Sequence, residues 1–163
     1  MTLAEVEPDD VDALTEFLRV SDLTTAGLTG GLRLWVDRDD TGAIVGSTGY
    51  ERVGEHVLIR SVAVATSHRS AGRGTTLAGF ALEEAAREGA RRAWLFSRRS
   101  GPFWQRLGFV PGDRDELARV LADTHQVRLF AESGQLGREV AWTRPLSGPL
   151  PGPAVCAGTV SRC

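Results

Sequence analysis

The spacing of apolar residues changes period several times along the chain, and each change marks an element. Residues 2–6 are predicted as a short edge strand. Pro8-Asp9-Asp10 then opens a helix with Val11, Leu14, Phe17 and Leu18 on one face, its acidic start matching the positive end of the helix dipole. A shorter helical piece is expected around 21–28. Alternation takes over next, with a strand over 32–37, a hairpin turn at Asp39-Asp40-Thr41-Gly42 and a returning strand over 43–52. Val53-Gly54-Glu55 turns the chain again, and a long strand covers 56–65. Helical spacing returns over 74–88, with Leu77, Phe80, Ala81 and Leu82 inward, Glu83 and Arg87 as an outward pair, and Gly89 as the stop. A buried strand over 92–97, a short helix over 101–107 with Pro102 in its first turn, and a strand opening at Gly108-Phe109 follow. Residues 113–130 read as helical and 139–143 as a last strand. Three antiparallel strands ahead of the long helix do not fit the doubly wound pattern, so the fold class is α/β in the mixed α+β sense.

The junction between the long strand and the long helix carries the chemistry. Arg69-Ser70-Ala71-Gly72-Arg73-Gly74 links them, bringing backbone amides to the positive end of a helix where an anion is stabilised. Two glycines one residue apart let the main chain approach the anion closely. The P-loop of nucleotide hydrolases needs a lysine, and all 19 basic residues here are arginine, which excludes it. The dinucleotide fingerprint needs a third glycine where this chain has Leu77. What remains is Arg/Gln-x-x-Gly-x-Gly/Ala, matched by Arg69, Gly72 and Gly74.

Composition narrows the partners. With 163 residues, 42% hydrophobic and 25% charged, the chain fits one domain with a real core. A net charge of −2 argues against a general nucleic-acid binder. No apolar run reaches the length of a membrane span, and the acidic N-terminus lacks a signal-peptide pattern, so no membrane partner and a cytoplasmic location are expected. Cys156 and Cys163 lie in a Gly-, Pro- and Ser-rich end, and His56, His68 and His125 are scattered, so neither a disulfide framework nor a metal site is expected. Residues 1–146 are read as the folded domain and 147–163 as a disordered tail.

The loop motif, the element order and Phe103-Trp104-Gln105-Arg106-Leu107-Gly108-Phe109 together resemble the GCN5-related N-acetyltransferase (GNAT) superfamily over about residues 2–146. An aromatic pair, three residues, then Gly-Phe is the family's C-terminal signature, and Arg60-Ser61-Val62-Ala63-Val64 looks like its central strand. A narrower likeness, to small acetyltransferases of arsenic-resistance operons, runs through Gly49-Tyr50-Glu51 and the stretches 58–64 and 103–109. It departs at Ser133-Gly134-Gln135-Leu136, where that subgroup carries a Cys-Pro pair. The resemblance implies a mostly antiparallel central sheet of about six or seven strands flanked by helices, and acetyl-coenzyme A as co-substrate. It places the pyrophosphate on Arg69, Ser70, Ala71, Gly72, Arg73, Gly74 and Thr75. It places the pantetheine arm along Val62, Ala63 and Val64, as an added strand.

Acetyl transfer needs an amine that loses a proton, attacks the thioester carbonyl and expels a thiolate. A sheet splay expected beyond Val64 frees its amide to hold the developing oxyanion. Glu51, at the end of the strand beside the central one, is the first choice of general base, with His56 second. Where many family members carry a tyrosine acid, this chain has Trp104, which has no hydroxyl to give. Arg98, Arg99 and Ser100 are candidates for an acidic substrate group or the cofactor's 3′-phosphate. The acceptor expected is a small-molecule primary amine: an amino acid, an amino-acid-like antibiotic or a polyamine. Acetylation of protein N-termini or lysines, and non-catalytic acyl-coenzyme A sensing, are the alternatives. A homodimer is compatible with the sequence.

Overall fold

A computed structural model describes residues 2–25, 27–28, 32–69 and 72–146. The predicted tail 147–163, with Cys156 and Cys163, and the loop residues Ser70 and Ala71 lie outside the described residues. Seven strands form one sheet: β1 (Leu3–Glu5), β2 (Arg33–Arg38), β3 (Ile44–Val53), β4 (His56–Val64), β5 (Arg92–Phe96), β6 (Val110–Pro111) and β7 (Ala141–Pro145), in the order β1-β2-β3-β4-β5-β7-β6. Every pairing is antiparallel except β4 with β5. The mixed, mostly antiparallel sheet is thus as the sequence implies.

Strand alternation assigns the two faces. Trp35, Tyr50, Val57 and Ile59 point to the side covered by α2 (Arg73–Arg87), whose Ala78, Ala81, Leu82 and Ala85 pack there with Trp104 of α3 (Gly101–Arg106). Leu34 and Val36 point to the other side, against Leu14 and Leu18 of α1 (Val11–Val20). Leu58 and Trp94 share that side with Leu117 and Leu121, from α4 (Arg114–Val120) and the turn after it, and with Val127 of α5 (His125–Glu132).

Four local readings are corrected. The described residues of the stretch 21–28 are not helical, because Asp22 at φ 59 ends α1 with its N–H on Arg19 O (3.0 Å) and that of Leu23 on Leu18 O (2.9 Å), the crossed pair of a Schellman motif. The single helix expected over 113–130 is two, each with its own N-cap: Asp113 accepts from Asp115 and Glu116, and Thr124 from Val127. Arg87 pairs with Glu84, one turn away, rather than with Glu83. The last strand starts at Ala141, which leaves Glu139 in front of it.

Candidate active site

Two irregularities in β4 open the sheet. β4 and β5 pair only at His56↔Arg92, Val57↔Ala93 and Leu58↔Trp94 and then separate. The parting therefore begins after Leu58 rather than beyond Val64, and the following length of β4 edge faces a gap. Within that length the register with β3 slips between Ser47↔Ala63 and Gly49↔Arg60, inserting one extra residue into β4. Ser61 takes up the strain at φ 62, and its carbonyl accepts from the buried Ser47 hydroxyl at 2.6 Å. The bulge reverses the alternation, so that Val62 packs on the α2 side and Ala63 on the α1 side. Ala65 N–H is bonded to Val45 O of β3 at 2.8 Å, so alternation turns the N–H of Val64 away from β3 and toward the gap.

A cleft of about 1350 Å³ occupies this gap. Val62, Ala63, Val64, Arg69, Gly72, Arg73, Gly74 and Thr75 all line it, gathering every described residue expected to bind cofactor. Gly72 caps α2 in a left-handed conformation, φ 75, which glycine adopts at no steric cost. The first intrahelical bond is Thr76 N–H to Gly72 O, at 3.0 Å. The N–H groups of Arg73, Gly74 and Thr75 thus stand at the helix start without an intrahelical acceptor. Arg69 donates its Nε–H to Val64 O at 3.0 Å, tying the loop to the strand end. Arg73 donates to the buried Asp37 at 2.5 Å, which spends part of its fork away from the cleft. Phe103 lines the cleft beside Gly74, whereas Trp104 is turned into the core, edge-on to Phe103 and Phe109. Arg98, Arg99, Ser100 and Arg106 also line it, Arg98 paired with Glu139 and Arg99 with Asp22. Arginine forks and free amides suit a phosphorylated thioester, so the residues present fit coenzyme A.

Glu51 is placed differently from the expectation. It does not line the cleft; it lies behind the wall, its side chain 6% exposed and ion-paired at 3.0 Å with Arg60, which is 1% exposed. The same carboxylate accepts the N–H groups of His125 (2.6 Å) and Gln126 (3.2 Å) at the start of α5. Arg60 donates to Thr24 O at 3.3 Å, so the pair joins the segment that follows α1 to the start of α5. Gly27 completes that seat: at φ 73 it lies so near the His125 ring that a Cβ would come within 2.3 Å. Burial pulls the Arg60 guanidinium below its ordinary value, and the Glu51 charge pushes back. His56 sits at the opposite end of β4 from Val64 and accepts the Trp94 indole N–H at 3.1 Å. Tyr50, the single tyrosine, points to the other face and bonds Glu88 at 2.6 Å.

Sequence reading missed Arg60 and Glu139. A lone arginine inside the apolar run 57–64 was a signal, since a charge there must be paired. Glu139 gave none, because its place depends on where β7 begins.

The family model described as Acetyltransferase (GNAT) family matches residues 4–109. No curated protein matches the sequence. Among solved structures, N-acetylglutamate synthase from Neisseria gonorrhoeae, in complex with coenzyme A and N-acetyl-glutamate, superposes with TM-score 0.72 at 15% identity over 90% of this chain. The chain spans only 35% of that synthase. An acetyltransferase of the GNAT family from Staphylococcus aureus gives TM-score 0.68 at 15% identity, covering 90% of this chain and 99% of that one. An aminoglycoside 6′-N-acetyltransferase complexed with coenzyme A gives 0.62 at 13% identity, covering 93% and 100%.

Proposed function

Because the chain belongs to the GNAT acetyltransferase family, we propose that it moves the acetyl group of acetyl-coenzyme A to a primary amine of a small molecule within a ternary complex. It is an acyl-coenzyme A-dependent N-acetyltransferase with acetyl-coenzyme A as co-substrate. The observation that carries the reading is the parting of β4 from β5 directly beside the Gly72-capped start of α2. Helix-start amides at Arg73, Gly74 and Thr75 hold the pyrophosphate, with Arg69, Ser70 and Ala71 completing the loop. The unpaired edge of Val62, Ala63 and Val64 receives the pantetheine amides as a further strand would. The Val64 N–H, turned into the gap, takes the charge that develops on the thioester oxygen. Holding both substrates in one cleft supplies much of the rate by proximity.

With Trp104 in the core, no tyrosine hydroxyl serves the leaving thiolate, which departs unaided. Glu51 positions the acceptor walls through Arg60, Thr24 and α5 rather than taking the proton itself, and the attacking amine gives its proton to water in the cleft. The catalytic unit extends past the family match to residue 146, because β7 lies inside the sheet between β5 and β6. A small-molecule acceptor also agrees with the similar proteins, two of which are named for acetyl transfer on glutamate and on an aminoglycoside. The test is a thermal-shift titration with acetyl-coenzyme A, then an amine panel scored by thiol release. A raised melting transition and acetylation of at least one small amine are expected; no shift at saturating acetyl-coenzyme A overturns the reading.

A further inference from the structure

Glu139 stands apart from the residues assigned to the thioester. It precedes β7, whose Ala141 pairs with Phe96 at the end of β5, so it sits on the far wall of the gap from Val64. Arg114 fixes its backbone by donating to Gly137 O (2.9 Å) and Glu139 O (3.1 Å). The side chain is only 6% exposed yet lines the cleft. Its Oε2 is engaged twice, by the Gln135 amide at 2.8 Å and by Arg98 Nε at 3.3 Å. Oε1 accepts no hydrogen bond from a described residue, and no buried side-chain oxygen among those residues lacks a partner, so Oε1 keeps some solvent access in a residue that lines the cleft. The other cleft carboxylate, Asp22, is highly exposed and paired with Arg99. The same cleft is lined by apolar side chains: Phe96 and Phe130, which meet edge-on at 5.2 Å, and Leu129, which is 40% exposed.

We propose that Glu139 binds the acceptor's ammonium group through Oε1, and that Phe96, Leu129 and Phe130 take its carbon skeleton. The acceptor class is then a primary amine on an apolar alkyl or aryl body. A fixed carboxylate oxygen in a largely dehydrated position suits an ammonium group, and the apolar side chains of the same cleft suit a carbon skeleton. This deepens the acetyltransferase reading and rests on it.

The test is calorimetric binding of benzylamine and a series of n-alkylamines to the full chain saturated with coenzyme A. The n-alkylamines bind with an affinity that rises with chain length. Glu139→Gln weakens amine binding about tenfold or more, the scale of a hydrogen bond to a charged group, and leaves the thermal shift by coenzyme A unchanged. Leu129→Ala, at a half-exposed position, flattens the dependence on chain length. An amine affinity independent of chain length, or an unaltered amine affinity in Glu139→Gln, overturns the assignment. If coenzyme A binds and no amine does, the Glu139 assignment alone falls; if coenzyme A does not bind, the acetyltransferase reading falls with it.

Discussion

Replacing Glu51 by Gln separates a proton acceptor from a structural clasp. The substitution keeps the shape and removes the charge, leaving the Arg60 guanidinium, 1% exposed, with neutral acceptors such as Thr24 O and Ser61 Oγ, both at 3.3 Å. Breaking one side of a buried ion pair costs about 3–5 kcal/mol. The new amide also offers one oxygen where the carboxylate served both His125 and Gln126 N–H groups, so one of these faces an NH₂ group instead. That second loss is part of the same network and is not added to the first. A domain of this size holds about 5–15 kcal/mol in total, so the variant is strongly weakened, with its melting point about 6–20 °C lower. Urea unfolding measures the loss directly. Pairing it with Arg60→Met in a double-mutant cycle should give a coupling of about 3 kcal/mol, the double variant recovering much of the stability because no lone charge is left buried. Acetyl transfer, corrected for the folded fraction, should then change mainly through the KM of the amine. A Glu51→Gln protein that loses under about 1 kcal/mol while its kcat collapses would refute the clasp and return Glu51 to proton transfer.

Two further outcomes follow from local geometry. Gly72→Ala puts a Cβ at φ 75 in open space, so its cost is backbone strain alone, about 1–2 kcal/mol by chemical denaturation; distorting the loop should also raise the KM for acetyl-coenzyme A, and an unchanged KM would remove Gly72 from the phosphate site. Burial, then the bond to Glu88 and its charge, push the Tyr50 phenol above its ordinary value of 10.0. The neutral form is favoured in the fold, so this stability is complete below about pH 10 and declines above it, where the unfolded phenol ionises first, by at most about 1.4 kcal/mol per pH unit. Absorbance of the single tyrosine near 295 nm should stay flat past pH 10 and rise only with unfolding; an ordinary titration near 10 would contradict the buried bond to Glu88.

Elements whose cause is local were legible from the chain. The hairpin turn at Asp39, the Pro8-Asp9-Asp10 helix start, and the apolar stripe of α2 each depend on neighbours within a few residues. The glycine loop belongs with them, since a strand end, a left-handed glycine and a helix start are consecutive in sequence. Its lack of lysine, read against other phosphate loops, pointed to the cofactor. Misreadings arose where two local signals competed. Thr124 was an N-cap inside a stretch of continuous helical spacing, and Asp22 took a left-handed conformation that no glycine announced.

What tertiary structure alone decided was how distant carboxylates were used. Glu51 looked like a strand-end glutamate near the reacting centre; Arg60, nine residues on, and the α5 N–H groups, over seventy residues away, turned it into a buried tie. Glu139 looked like the first residue of a strand and became a buried carboxylate lining the cleft because β7 starts two residues later, beside Phe96. The parting of β4 from β5 is likewise not written in either strand, since both read as ordinary apolar runs. Sequence periodicity reports which residues are buried, through the free energy of removing each from water. Which partner meets a buried charge, and where two strands cease to pair, depends on the simultaneous packing of segments far apart in the chain, and only the assembled fold fixes that.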